Sequence, residues 1–444
     1  MVMPLRISDW LPDDHLAKFV VEVVDELDIS PIEEQYAPRG GTPYSPRMLL
    51  SLLFYGYTTR VFSSRKLEMS TYDSVAFRYI TCDQHPDHDT INEFRKRFLN
   101  ELQPLFTQIL LVARELGFLK VGKVTIDGSK VKANANKHRA VSYKRSGEIE
   151  KRLEQEVKEL LRQAEKADRG PGEDDGLDVP AEISRRQRRL EKIKEARAVI
   201  EARARERYQQ EQAEHEAKLA ERERRAKETG KKPRGQTPQP PQAGPGDKEQ
   251  YNFTDPESRV MKEGASGAFE QSYNVQVAVD AASLLIMGQR VTNHPNDKQE
   301  LIPTLLAIPE EVGQPEVALA DAGYYSEANV RDCQERGVDP YIATGRGSHY
   351  QPLEERLAEL RGREPPALPE AATPKERMAH KLRTQQGRAI YRLRKMTVEP
   401  VFGIIKEALG FRRFSLRGME KAAGEWTLVC IGYNLKRLFR LQGV

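Results

Sequence analysis

Two short apolar runs, VTI before Asp127 and VALA before Asp321, read as buried strands, yet a long charged stretch (146–250) lies between them. Such strands can share a sheet only if that stretch is looped out. The chain is therefore expected to be α/β, with a core discontinuous in sequence. The intervening stretch builds no core of comparable size. EKRLEQEVKELLRQAEKA sets Leu153, Val157, Leu160, Leu161 and Ala164 on one helical face. A second helix carries Ile183, Leu190, Ile193, Ile200 and Ala204 close to a heptad seam. ADRGPGEDDGLDVP breaks the pattern between them, which predicts an antiparallel helical hairpin, most simply a solvated arm. KKPRGQTPQPPQAGPGDK follows as a Pro/Gly/Gln linker.

The flanks differ from each other. Up to about residue 118 the pattern is helical, with Leu16, Phe19, Val20, Val23 and Leu27 at helical spacing and a second apolar segment from Met48 to Phe54 before Gly56. In DTINEF, Thr90 and Glu93 have the spacing of a capping box; Phe94, Phe98, Leu102 and Leu105 follow as a buried stripe, with Pro104 an expected break. After the linker, YNVQVAVDAASLLIMGQRVT alternates and should turn near Asp280 as a hairpin. LIPTLLAI reads as a helix, DPYIAT as a short strand, and 350–380 as a charged, Pro-rich loop or loosely packed helix. The chain turns helical again from about 386, with Trp426 and Tyr433 as core residues. Charged residues make up 31% of the 444, but the net charge is only +4, so placement matters more than total. Cys82, Cys333 and Cys430 lie too far apart for a disulfide framework, and no apolar run approaches a bilayer span. These features lead us to expect a soluble protein of a reducing, intracellular compartment.

Asp127 and Asp321 each end an apolar run and are followed by small residues. A buried carboxylate needs a partner, and a hard divalent cation held between two strand ends is one solution. Taken singly, each acid reads first as an ordinary turn or cap residue. Glu399 lies among Tyr391, Arg392, Arg394, Lys395, Lys406, Arg412, Arg413 and Arg417, a basic setting that suits a phosphate backbone as well as a salt-bridged surface helix. Its spacing from Lys406 is two helical turns, which would put both on one face. Cys82, His85 and His88 look like zinc ligands but lack a fourth partner nearby, so a turn-and-cap role is favoured. Ser129, Lys130 and Lys132, just past Asp127, are further candidates for contact with a phosphate backbone.

At this point HPDHDTINEFR, DGSKVKANA, NFTDPESRVMK, YNVQVAVDA, NDKQEL, DAGYYSEANV and YRLRKMTVEPVFGIIKEALGFRRFSLRG, in this order, carry a resemblance. The chain resembles the DDE insertion-sequence transposases of the IS-four/IS-five superfamily, and within it the IS-eleven-eighty-two-like members. The resemblance implies an RNase H-like catalytic core with an N-terminal helical domain and a charged helical insertion. It places the first Asp on the first strand, the second just after the fourth, and the Glu on a later helix. On that pattern Asp127, Asp321 and Glu399 are the catalytic residues and the ligands of Mg²⁺ or Mn²⁺, two ions in all. Tyr391, Arg394, Lys395, Lys406, Arg412, Arg413 and Lys132 are the implied DNA contacts. The superfamily's Tyr–Arg–Glu–Lys signature is carried by Tyr391, Arg394, Glu399 and Lys406, but Lys395, not Arg394, has the usual spacing to the Glu.

The implied division is 1–118 for a DNA-end-binding helical domain, 119–145 and 251–420 for the catalytic core, 146–250 for insertion and linker, and 421–444 for a last helix. The implied activity is cleavage and strand transfer on double-stranded DNA, at terminal inverted repeats and at a target. The protein would act as a homodimer in the bacterial cytoplasm, at the nucleoid and away from membranes. A nuclease without strand transfer, or a silent DNA-binding protein, are the alternatives.

Overall fold

The computed structural model describes residues 6–36, 44–167, 178–229, 237–263, 267–345, 364–369 and 372–443. Two compact units result: Met1–Asn134 with Glu257–Val444, and Ala135–Pro256. The break predicted in ADRGPGEDDGLDVP and most of the 350–380 segment lie outside the described residues.

The first unit opens with helices α1 (Leu16–Glu26), α2 (Ser30–Glu33), α3 (Pro46–Thr58), α4 (Ser64–Asp73), α5 (Val75–Ile80), α6 (His88–Arg97) and α7 (Leu102–Glu115). Two local expectations fail here. The cap of α6 is Asp87, whose carboxylate accepts from Asp89 N and Thr90 N; the Thr90 hydroxyl donates to it at 2.7 Å. An ionised acceptor placed three residues earlier outcompetes the hydroxyl, so Thr90 and Glu93 form no capping box. The break falls at Phe98 and the following 3-10 turn, not at Pro104, which sits in the first turn of α7 where no N–H is missed. Phe94, Phe98, Leu102 and Leu105 are nonetheless all buried.

The unit's sheet begins with β1 (Lys123–Lys132). In the second unit, β2 (Ala140–Ser142) pairs with β3 (Gln250–Asn252), while α8 (Tyr143–Ala167) packs on α9 (Val179–Thr229). Ion pairs Arg186–Glu156, Lys194–Glu154 and Arg197–Glu150 run in opposite chain directions, so the hairpin is antiparallel as expected. Leu153, Leu160, Ile193, Ile200 and Ala204 fill its seam, but Leu161 is exposed.

Back in the first unit follow β4 (Arg259–Glu263), β5 (Ala268–Asp280), β6 (Ile286–Thr292), α10 (Leu301–Leu305), β7 (Val317–Ala320), α11 (Glu327–Glu335) and β8 (Asp339–Ile342). The chain continues through α12 (Pro374–Arg383) and α13 (Gln385–Gly403) into a π turn (Ile404–Ala408), then ends with α14 (Met419–Leu441). β5 runs antiparallel to β1, which is parallel to β7, and β7 to β8. The outer edge of β5 is shared by β4 along Ala268–Ser272 and by β6 along Asn274–Val279. The fold is thus α/β with a mixed sheet, as the resemblance implied. Within the six-stranded sheet β7 is the fifth strand in chain order, not the fourth as the resemblance implied, because β4 precedes β5. Every residue from Asn274 to Val279 is buried, so β5 is covered on both faces and not one.

α14 packs against α3, α7 and β6, and is buried along most of its length, Trp426 and Tyr433 included. Gly432 permits a close approach of backbones, since a Cβ there would lie 2.9 Å from the backbone of Tyr57. Asn434 ties this helix to the sheet edge: Ile286 N donates to its Oδ1 (2.9 Å) and its Nδ2 donates to Ile286 O (2.9 Å). The amide thus imitates a neighbouring strand. Asn434→Ala should lower stability by about 2 kcal/mol, because two buried backbone groups lose their partners together. Denaturant unfolding measures this, and a midpoint equal to that of the wild type would refute it.

Candidate active site

β1 continues seven residues beyond Thr125, the last residue it pairs with β7, and along these its only partner strand is β5. The parallel register matches Val124 with Ala318 and Thr125 with Leu319. Two residues further along each chain stand Asp127 and Asp321; continued past the end of β7 that register would bring them level, and the charge of Asp321 acts on the Asp127 carboxyl. Asp127 therefore lies within its strand and not at its end, as the sequence had suggested; only Asp321 follows a strand end, directly after Ala320. Both carry local hydrogen bonds as well. Asp127 Oδ1 accepts from Gly128 N (2.8 Å), and Asp321 Oδ1 accepts from Gly323 N (2.7 Å), capping a 3-10 turn.

The Asp127 carboxyl is pushed up to about 6, first by burial and further by the negative charges of Asp321 and Asp297; the Gly128 N–H and the Arg394 guanidinium act against the rise. A pair of acids in this state fits a divalent cation, whose charge would offset what burial and repulsion impose. The third expected acid stands apart. Glu399 is on α13, which packs over β1 and β7, but its side chain is 56% exposed. Arg394, only 12% exposed, reaches both acids: Nη1 lies 3.3 Å from Asp127 Oδ2, and Nη2 lies 3.6 Å from Glu399 Oε1. Its buried Nε has no hydrogen-bond partner. Among the described residues no three His, Cys, Asp or Glu side chains are gathered closely enough to hold a metal ion.

Arg394, and not Lys395, is thus the cation drawn into the site; Lys395 is exposed on the outer face of α13. Tyr391 O–H donates to Ala320 O (3.3 Å), beside Asp321, and burial raises its phenol. The expectation that Glu399 and Lys406 share one α-helical face is overturned, because α13 ends at Gly403 and Lys406 sits in the π turn, which changes the angular step per residue. Lys406 Nζ donates to Lys130 O (2.9 Å), and burial lowers its ammonium. Lys132 pairs with Glu263 (3.1 Å), and Arg412 with Glu407. Arg413 is exposed on the segment that bridges to Lys132 in parallel. His88 Nδ1 meets Glu68 Oε2 (2.7 Å), and His85 meets Thr71 Oγ1 (3.1 Å) while stacking on Tyr72. These histidines serve the turn and cap.

One group of neighbours was not singled out from the sequence. Asp297 Oδ1 accepts from Asn274 Nδ2 (2.7 Å) and Gln276 Nε2 (2.8 Å), with Lys130 Nζ at 3.4 Å. Tyr324 O–H donates to Gln276 Oε1. Gly128 faces Gln276 across the ladder, and a Cβ there would lie 2.2 Å from its Nε2, so the network closes against bare backbone. Two polar residues inside the buried run YNVQV were the available signal, since amides on a strand covered on both faces need partners.

A family model described as "Transposase DDE domain" matches residues 237–435, and one described as "Transposase domain (DUF772)" matches 5–97. Asp321 and Glu399 fall within the first match; Asp127 lies between the two. No curated protein and no solved structure matches the chain. No described helix is long and apolar enough to cross a membrane. By these matches the chain carries a transposase domain near its start and a DDE transposase domain in its second half, consistent with a DDE-type transposase, a family that acts on DNA and generally employs divalent metal ions.

Proposed function

We propose that the chain cuts DNA at the terminal inverted repeats of an insertion sequence and joins the freed 3′ ends to target DNA. The observation that carries this reading is the nearness of Asp127 to Asp321, whose charge raises its carboxyl, with Arg394 reaching from Asp127 to Glu399. Asp127 and Asp321 would hold Mg²⁺ or Mn²⁺, two ions in the full site. Glu399 is the third donor once Arg394 gives up its long contacts. When bound, the metal supplies charge for the attacking and leaving oxygens of phosphodiester exchange. The side chains do the remainder. Arg394, with a free Nε, and Lys406 offer donors to non-bridging phosphate oxygens. Tyr391, Lys395, Arg412, Arg413 and Lys132 line the approach of the backbone. Asp297, through Gln276 and Asn274, fixes the floor beside Asp127.

The N-terminal helices (1–118) are assigned to recognition of the DNA ends, with a helix in the major groove. Handling two ends together calls for a homodimer on DNA. The direct test uses the full chain, Mg²⁺ and a labelled duplex bearing the inverted repeats that flank its gene. The expected result is nicking at the repeat boundary followed by joining to a target plasmid. Nicking without joining would favour a nuclease, and no cutting in Mg²⁺ or Mn²⁺ would overturn the reading.

A further inference from the structure

The helical hairpin of the second unit sorts its cations by face. Arg186, Lys194 and Arg197 of α9 pair with acids of α8 at 2.8, 3.0 and 3.1 Å, flanking the seam that buries Leu153, Ile193 and Ile200. Arg185, Arg188, Arg189 and Lys192 fall instead at i, i+3, i+4 and i+7, a single face, and all four are exposed. Arg185 is held by Glu182 at 3.2 Å, and Arg188 donates to Ser184 Oγ at 2.9 Å. Arg189 and Lys192 make no ion pair among the described residues. The four line a shallow groove of about 480 Å³ that contains no acidic side chain among the described residues. Arg189 also borders a second groove of about 960 Å³, lined by Lys144, Arg145, Arg152 and Lys248 and by the acids Glu148 and Asp247, with Arg152 also paired to Glu156 at 3.5 Å.

Like charges at this spacing repel, and among the described residues of the hairpin only Arg185 has an acid to offset this. Along seven residues the stripe rises roughly 10 Å, and duplex DNA presents one charge per ~1.7 Å of axis. Several phosphates fall within its reach. We propose that this stripe is a separate DNA-contact surface, which grips the phosphate backbone of a duplex and does not read its sequence. The choice of DNA as the polyanion rests on the substrate class of the transposase domains; the catalytic assignment above is not needed for it.

The test compares the full chain with its Arg185→Ala/Arg188→Ala/Arg189→Ala/Lys192→Ala variant on a random-sequence DNA duplex across a salt series. Alanine is the best helix former, so exposed positions of α9 tolerate it. The slope of log affinity against log salt should become shallower by about 2–4 units, since each lost phosphate contact removes ~0.9. Replacing the three arginines by lysine should retain the slope. Lys151→Ala/Lys158→Ala/Arg162→Ala, on the same hairpin, should leave it within about one unit. A wild-type slope in the four-alanine variant, an equal change in the control, or a loss confined to an RNA duplex overturns the proposal. Cleavage of the inverted-repeat duplex, followed in the same preparations, reads the catalytic assignment separately. A chain that never cuts DNA yet loses slope in the stripe variant would therefore sink the catalytic reading alone.

Discussion

Asp127→Asn, Asp321→Asn and Glu399→Gln should each reduce Mg²⁺-dependent cleavage of an inverted-repeat duplex by on the order of 10³-fold or more, while affinity for the same duplex changes little. The size follows from the role. Metal assistance supplies several kcal/mol of transition-state stabilisation, and about 4 kcal/mol corresponds to ~10³ in rate. The three need not fail identically. Asp127 and Asp321 already act on each other through their charges, so loss of either removes half of a coupled pair. Glu399 is exposed and tied to Arg394 at 3.6 Å, so its substitution also frees a buried guanidinium. That variant should be rescued in part by high Mn²⁺, whereas the Asp variants should not. Cleavage within tenfold of the wild type in any of the three removes that residue from the site.

Much of the scaffold was legible because it rests on period and punctuation. β7 is announced by VALA, the hairpin between β5 and β6 by its DAAS turn, and α14 by an unbroken apolar pattern around Trp426. The misreadings share a cause, which is that local signals compete and tertiary context decides. Asp87 outbids Thr90 for one cap. β1 runs through Asp127 to Lys132 because β5 pairs with it all the way, a partner that no local pattern reveals. The site was legible as three acids and not as an arrangement. Arg394 has the wrong spacing from Glu399 for the superfamily signature, yet its guanidinium is the one that enters, because burial and the reach of its side chain matter more than position in the string. Asp297 was missed for the opposite reason. It has no strand-end setting, and its importance comes from Asn274 and Gln276 on another strand.

Asp127→Asn should also make the metal-free protein more stable at pH 8, by no more than about 3 kcal/mol. The folded carboxyl is pushed up to about 6 from an ordinary value of 3.8, first by burial and then by neighbouring acids. Each unit of such a shift corresponds to about 1.4 kcal/mol between protonation states. A raised value in the folded state has a definite sign. Below pH 4 both folded and unfolded chains carry the proton, and the wild type is not penalised. Between pH 4 and 6 the unfolded chain ionises first, and folded stability falls until the folded carboxyl has also ionised. Asparagine copies the protonated form at every pH, so its advantage should open across this window and then level off. The lost contact with Arg394, at 3.3 Å, works against the gain but is outweighed by burial. Divalent metal should reverse the order, since a ligand bound only by the folded wild type stabilises it in proportion to RT ln(1 + [L]/Kd). Unfolding followed in chelator at pH 4, 6 and 8, then in Mn²⁺ at pH 8, measures all of this. A wild type more stable than the variant at pH 8 in chelator, or a gap that persists at pH 4, would show that Asp127 is satisfied without metal and would remove the electrostatic reason for placing one there.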